Sequence, residues 1–112
     1  LNDPELKINP TAVRVPVFYG HAMALHIELE KSIGVTAARK LLSKMPGIKV
    51  MDRRGAGGYP TPVGDGSGQD NVLIGRIRQD LSCECGLNMW VVADNIRKGG
   101  ALNALQILEL LV

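Results

Sequence analysis

Apolar residues recur along this chain with two different periods. Thr11–Phe18 (TAVRVPVF) sets Val13, Val15 and Val17 against Arg14 and Pro16, a period of two that predicts a β-strand. Pro16 has no N–H for a ladder, so its side is expected at an edge or a strand end. Gly20 breaks the run. Ala22–Glu30 (AMALHIELE) alternates again, with Met23, Leu25, Ile27 and Leu29 opposite His26, Glu28 and Glu30. That is the pattern of a strand with one buried face. The preceding Leu1–Pro10, polar and holding Pro4 and Pro10, reads as a lead-in loop.

Helical spacing follows. Thr36 is placed to cap a helix over Ala37–Met45. Ala37, Leu41 and Met45 share a face with Ala38 and Leu42 beside them, while Arg39, Lys40 and Lys44 point to water. Pro46–Gly47 ends it, and Ile48–Met51 predicts a short strand. Arg53–Asp70 is a loop rich in glycine, with Pro60 and Pro62. A loop this long in a compact domain is usually functional, an interface element or mobile, and a flap or dimer-contact loop fits best here. Val72–Arg78 and Leu87–Ala93 predict two more strands, joined through Leu81–Gly86. Asp94 or Asn95 can cap a last helix running to Val112. After its first turns the polar residues Asn103, Gln106 and Glu109 form one narrow stripe, and the positions from Leu102 on are otherwise apolar. A helix apolar nearly all round must be buried nearly all round, so it is expected to pack on protein outside this chain.

Composition narrows the class. At 112 residues, with 46% hydrophobic and 21% charged residues, the chain is sized for one domain. It is not composed like a disordered, collagenous or coiled-coil protein. A net charge of +2 is too small for an electrostatic nucleic-acid binder. No apolar run reaches the roughly 18 residues of a membrane span, and no signal peptide is visible. Two cysteines are too few for a disulfide scaffold and fit a reducing compartment best. The chain opens on Leu1 rather than Met, which suggests a piece of something longer.

Few residues suggest chemistry by themselves. Arg14 and His21 would lie near one strand end. Arginine grips carboxylate or phosphate with two parallel hydrogen bonds, and histidine suits proton transfer at neutral pH. A surface arginine and a turn histidine account for the same spacing. His26, between glutamates, reads as part of a solvated strand face. Cys83 and Cys85 form a single C-x-C pair, short of a four-ligand metal site and not the C-x-x-C redox spacing. They read as two thiols in a connection, and no metal site is expected. The glycine loop lacks the phosphate-cradling patterns. Asp94–Gly100 (DNIRKGG) differs, because strand-to-helix turns often meet ligands through backbone N–H groups. The Asn95 amide can both donate and accept, which suits a carboxamide ligand. A plain helix cap with tight packing explains the segment equally well.

Arg14–His21 (RVPVFYGH), Gly58–Pro62 (GYPTP), Ile74–Arg78 (IGRIR) and Trp90–Ala104 (WVVADNIRKGGALNA), in this order, resemble the C-terminal portion of aspartate-β-semialdehyde dehydrogenases, in the bacterial branch ending in a D-N-x-R-K-G helix. The resemblance implies an α+β fold. It would be a mixed, mostly antiparallel sheet with helices on one face, like the C-terminal domain of glyceraldehyde-phosphate dehydrogenases, plus a C-terminal helix. Residues 1–93 would belong to the dimerisation and catalytic domain, and residues 94–112 would return to an N-terminal NADP-binding domain.

The implied activity is NADPH-dependent reductive dephosphorylation of β-aspartyl phosphate to aspartate β-semialdehyde, with release of phosphate. It serves lysine, methionine and threonine biosynthesis in a cytoplasmic homodimer. A cysteine thiolate would form a thioacyl intermediate that takes the hydride. By the same resemblance Arg14 grips the substrate carboxylate, His21 is the acid/base and Asn95 approaches the nicotinamide. The family's nucleophile motif, S-x-N-C, and its glycine fingerprint are absent from these residues, and neither Cys83 nor Cys85 lies in such a motif. Where many members follow the histidine with Ser-Glu, Ala22–Met23 stand here. Alone, the chain is expected to be inactive. The alternatives are an N-acetyl-glutamyl-phosphate reductase-like enzyme and a non-enzymatic dimerisation module.

Overall fold

The computed structural model describes Glu5 and residues 11–112, so the lead-in expected over Leu1–Pro10 lies, Glu5 apart, outside the described residues. The elements are β1 (His21–Glu28), α1 (Val35–Leu42), β2 (Ile48–Val50), β3 (Val72–Gln79), β4 (Gly86–Ala93) and α2 (Leu102–Glu109), with π-helical turns at Pro62–Gly66 and Arg97–Ala101. The four strands form one sheet in the order β1-β4-β3-β2. β4 pairs antiparallel with both neighbours, and β2 joins β3 in parallel. The mixed, mostly antiparallel α+β architecture is the one expected.

β3 and β4 lie in the middle and carry the core. Leu73 and Val92 are the most completely covered large side chains, at 1% and 0% exposure. Alternation sorts the remaining residues between two faces. Ile74, Ile77, Leu87, Met89 and Val91 cluster with Ala38 of α1, and Leu25, Ile27, Ile48 and Val50 complete that layer. The opposite face is covered at one end by the loop before β3. There Trp90 Nε1 donates to the Pro60 carbonyl at 2.9 Å, and Gly66 lies against Val92. Part of the glycine-rich segment is therefore built into the sheet's cover rather than free as a flap.

Three local expectations are corrected. Thr11–Phe18 is not a strand. The Val17 N–H closes back on the Val15 carbonyl at 2.8 Å, a three-residue turn centred on Pro16. Its valines are exposed, Val13 at 77%, because no neighbouring strand pairs with it among the described residues. α1 starts at Val35, with Gly34 as the N-cap and no side-chain cap bond, so Thr36 lies inside the helix. It ends at Leu42, short of Met45. The last segment is not one continuous helix. Gly100 leaves helical geometry (φ −144°, ψ −107°), which separates the π-helical turn from α2, and α2 stops at Glu109.

α2 rests on that turn through a bond from Lys98 Nζ to Gln106 Oε1 at 2.6 Å. Leu105, Ile107 and Leu108 remain about half exposed, so the apolar helix has little cover from the described residues. No helix among the described residues is long and apolar enough to cross a membrane.

Candidate active site

β1 begins where β4 ends, with His21 opposite Ala93. The turn entering β1 and the turn leaving β4 therefore meet at one end of the sheet. The Gly20 N–H donates to Asn95 Oδ1 at 3.1 Å, across 75 positions of sequence. Gly20 has φ +86°, and a Cβ there would sit 2.5 Å from the Pro62 carbonyl oxygen. Only glycine fits both that backbone region and that approach. Three segments thus converge: the turn before His21, the Pro62–Gly66 turn and the start of the C-terminal segment.

Asp94 fastens the third. Its carboxylate is 8% exposed. Oδ1 accepts the N–H groups of Ile96 and Arg97, each at 2.9 Å, and Oδ2 accepts the Gly68 N–H at 2.8 Å. Of the two residues able to cap this end, Asp94 does so, and Asn95 is left to face Gly20. These bonds, led by that from Arg97, hold the Asp94 carboxyl below the usual carboxylate range. The charged form is bonded only in the fold, so its stabilisation is present above the ordinary pKa of ~3.9 and is lost as pH falls through the lower folded value. Asp94→Asn should lower the urea midpoint at neutral pH, because an amide NH₂ would then face the Gly68 N–H. The gap from wild type should narrow below about pH 4. A gap of constant size across that range would overturn this account.

His21 is exposed at the first position of β1, and Arg14 is exposed on the irregular segment leading to it. Neither side chain makes a hydrogen bond or ion pair among the described residues. The fold brings His21 and Asn95 to the same end of the sheet through Gly20. It leaves Arg14 on the approach to that end, without contact to either. Asn95 uses its carbonyl oxygen on Gly20, so its NH₂ remains available to donate to a ligand oxygen.

Both cysteines are unbonded thiols in the β3–β4 connection. The Cys85 carbonyl accepts the Leu29 N–H just past the other end of β1. Seven strand steps of about 3.3 Å put that end roughly 23 Å from His21. Neither thiol can act with this histidine.

One cluster escaped the sequence reading. His26 is not simply a solvated strand residue, since its Nε2 lies 3.0 Å from Asp80 Oδ2. Asp80 also accepts Ser82 Oγ and N–H, each at 2.6 Å, and Asn88 Nδ2 at 2.9 Å. These bonds, Ser82 first, lower the Asp80 carboxyl pKa well below its ordinary range. The D-x-S spacing after a strand is the only local trace of this connection. Among the described residues no three His, Cys, Asp or Glu side chains gather as a metal-holding group.

The sheet, its converging turns and its capped C-terminal segment define an α+β domain. Residues 1–98 match the semialdehyde dehydrogenase dimerisation domain, and the chain belongs to that family. It is 54% identical over 111 residues to an aspartate-semialdehyde dehydrogenase of Legionella pneumophila, covering 99% of this chain and 32% of the relative. It is 50% identical to that of Aquifex aeolicus, covering 100% of this chain and 33% of the relative. The crystal structure of Vibrio cholerae aspartate semialdehyde dehydrogenase II complexed with ASA superposes with a TM-score of 0.91. The identity is 50%, covering 98% of this chain and 32% of that one. The chain thus spans about a third of the length of the relatives it matches.

Proposed function

We propose that this chain is the C-terminal catalytic and dimerisation portion of an aspartate-semialdehyde dehydrogenase. The reaction is NADPH-dependent reductive dephosphorylation of β-aspartyl phosphate to aspartate β-semialdehyde, in the cytoplasmic route to lysine, methionine and threonine, and the enzyme works as a homodimer. The observation that carries the reading is the tie between Gly20 and Asn95. It joins the histidine turn to the D-N-x-R-K-G segment at one end of the sheet, within a chain that keeps the family's motifs in order.

Each residue has a role its chemistry suits. His21 opens β1 with an exposed imidazole, able to give or take the proton that moves as the tetrahedral centre forms and collapses. Arg14 offers the planar fork that holds a substrate carboxylate. The free NH₂ of Asn95 suits the carboxamide of a nicotinamide ring, where reduced NADPH would supply the hydride. The covalent step needs a thiolate other than Cys83 and Cys85, and residues 94–112 pack their apolar helix on the cofactor domain that the longer relatives' length allows for. By itself the 112-residue chain has no dehydrogenase activity. Substrate-dependent NADPH oxidation by the purified chain would overturn that claim.

The test uses the full-length enzyme carrying this segment. It should reduce NADP in the presence of aspartate β-semialdehyde and phosphate, and Arg14→Lys should raise KM for the semialdehyde with kcat little changed. Turnover of N-acetyl-glutamate semialdehyde in place of the aspartate compound would reassign the substrate. An unchanged KM in Arg14→Lys would remove Arg14 from the site.

A further inference from the structure

The β3–β4 connection holds groups that the dehydrogenase chemistry does not use, at the end of β1 away from His21. It folds back through a turn in which the Gly86 N–H donates to the Cys83 carbonyl at 3.2 Å. Cys83 and Cys85 are the first and third residues of that β-turn. Two positions apart in such a bend, their Cα atoms are roughly 5–6 Å from one another. That lies inside the range of about 4.4–6.8 Å that a disulfide spans. Both thiols are unbonded and half-buried, with Ser82 and Glu84 exposed beside them, so a small solute can reach both.

One of the two has a particular neighbour. Gly86 is buried, and a Cβ there would lie 2.7 Å from Asp80 Cβ, 3.1 Å from Cys83 Cβ and 3.2 Å from His26 Nε2. The missing side chain lets the loop carrying Cys83 close against the His26 imidazole. Nε2 of that ring is 3.0 Å from Asp80 Oδ2. Asp80 is itself held by Ser82 and Asn88, so the ring has a fixed orientation. Its Nδ1 makes no hydrogen bond among the described residues. An imidazole beside a thiol is the usual means of generating the nucleophilic thiolate. Cys85 is held differently, through the Leu29 N–H on its carbonyl at 3.2 Å. The pair is thus unequal: Cys83 has a proton acceptor at hand, and Cys85 stands within bonding reach of Cys83.

We propose that this turn is a thiol-modification site, at which a hydroperoxide oxidises Cys83 and Cys85 resolves the product as a disulfide. The His26 imidazole takes the Cys83 proton at Nδ1, the nitrogen that Asp80 leaves open. The thiolate attacks one oxygen of the peroxide, so an S–O bond forms as the O–O bond breaks. The departing alkoxide or hydroxide takes up that proton and leaves as alcohol or water. Cys83 is then a sulfenic acid, oxidised by two electrons, and the peroxide is reduced by two. The Cys85 sulfur displaces the hydroxyl, which leaves as water with the Cys85 proton, and an S–S bond closes within the turn. A disulfide in an exposed turn is of the labile kind that free thiols reduce again. The site stands apart from Arg14, His21 and Asn95, and does not depend on the reaction assigned to them.

The experiment treats the full-length enzyme with hydrogen peroxide, blocks the remaining thiols with iodoacetamide and digests the product with trypsin. Both cysteines fall in one peptide, Gln79–Arg97, which has no internal Lys or Arg, so any other cysteine of the enzyme is read separately. After peroxide the peptide should be unalkylated and lighter by two hydrogen atoms than its reduced form. It should return as the doubly alkylated peptide when dithiothreitol precedes the iodoacetamide. In Cys85→Ser, dimedone should label Cys83, and in Cys83→Ser it should leave Cys85 unlabelled. His26→Gln, with the circular dichroism spectrum of wild type, should slow disulfide formation at least about tenfold. A peptide that stays doubly alkylated after peroxide overturns the site. A disulfide joining two copies overturns closure within the turn, and dimedone on Cys85 in Cys83→Ser overturns the order of the two thiols. A wild-type rate in His26→Gln removes the imidazole from the step.

Discussion

Replacing His21 by alanine in the full-length enzyme is expected to lower kcat by about 10²–10⁴-fold, the usual size of a lost general acid–base group, with KM close to wild type. The structure makes this a clean substitution. His21 is exposed and its side chain makes no hydrogen bond among the described residues, and alanine can pair with Ala93 through its backbone at that position. The loss should therefore fall on turnover rather than on folding, and the pH dependence that an imidazole imposes on kcat should go with it. His21→Gln, which keeps hydrogen-bonding capacity but cannot transfer the proton, should behave like alanine. Steady-state and pH profiles of both variants check the assignment, and a kcat within about twofold of wild type would dismiss it.

The second large effect is expected at Gly20. A side chain there meets two independent obstacles. The backbone is left-handed at φ +86°, and a Cβ would lie 2.5 Å from the Pro62 carbonyl oxygen. The left-handed penalty for an L-residue is roughly 1–2 kcal/mol, and forced overpacking adds typically about 1–3 kcal/mol. Gly20→Ala should therefore destabilise the protein by about 2–5 kcal/mol. The strain is relieved only if the turn moves away from Pro62, and that movement draws the Gly20 N–H off Asn95 and carries His21 with it. Both the melting temperature and kcat should fall. A variant as stable and as active as wild type would show that the convergence of the three segments is not needed.

Particular elements show what could be read from sequence. β3 and β4 lie within a residue of expectation because each is written as a short apolar run of strand-forming residues bounded by turn signals. Thr11–Phe18 has an equally clear alternation and forms no strand. Its valines describe a possible face, but a strand also needs a partner edge, and Pro16 turns the backbone on itself instead. The apolar wrap of α2 was legible, and so was the weakness at Gly99–Gly100. The kink falls at Gly100, where helical geometry is abandoned.

The candidate site divides in the same way. Arg14, His21 and Asn95 could be nominated from residue chemistry and motif resemblance. That Gly20 binds Asn95, that Asp94 rather than Asn95 caps the last segment, that His26 is paired to Asp80 and that both thiols lie at the wrong end of β1 could not. Each of these depends on a partner far away in the chain. Periodicity and local chemistry act over a few residues, so the sequence by itself determined the central strands, the apolar character of the C-terminal helix and the family motifs. The tertiary structure decided which groups meet, because antiparallel pairing of β1 with β4 sets two distant turns side by side and sends the cysteines to the far end.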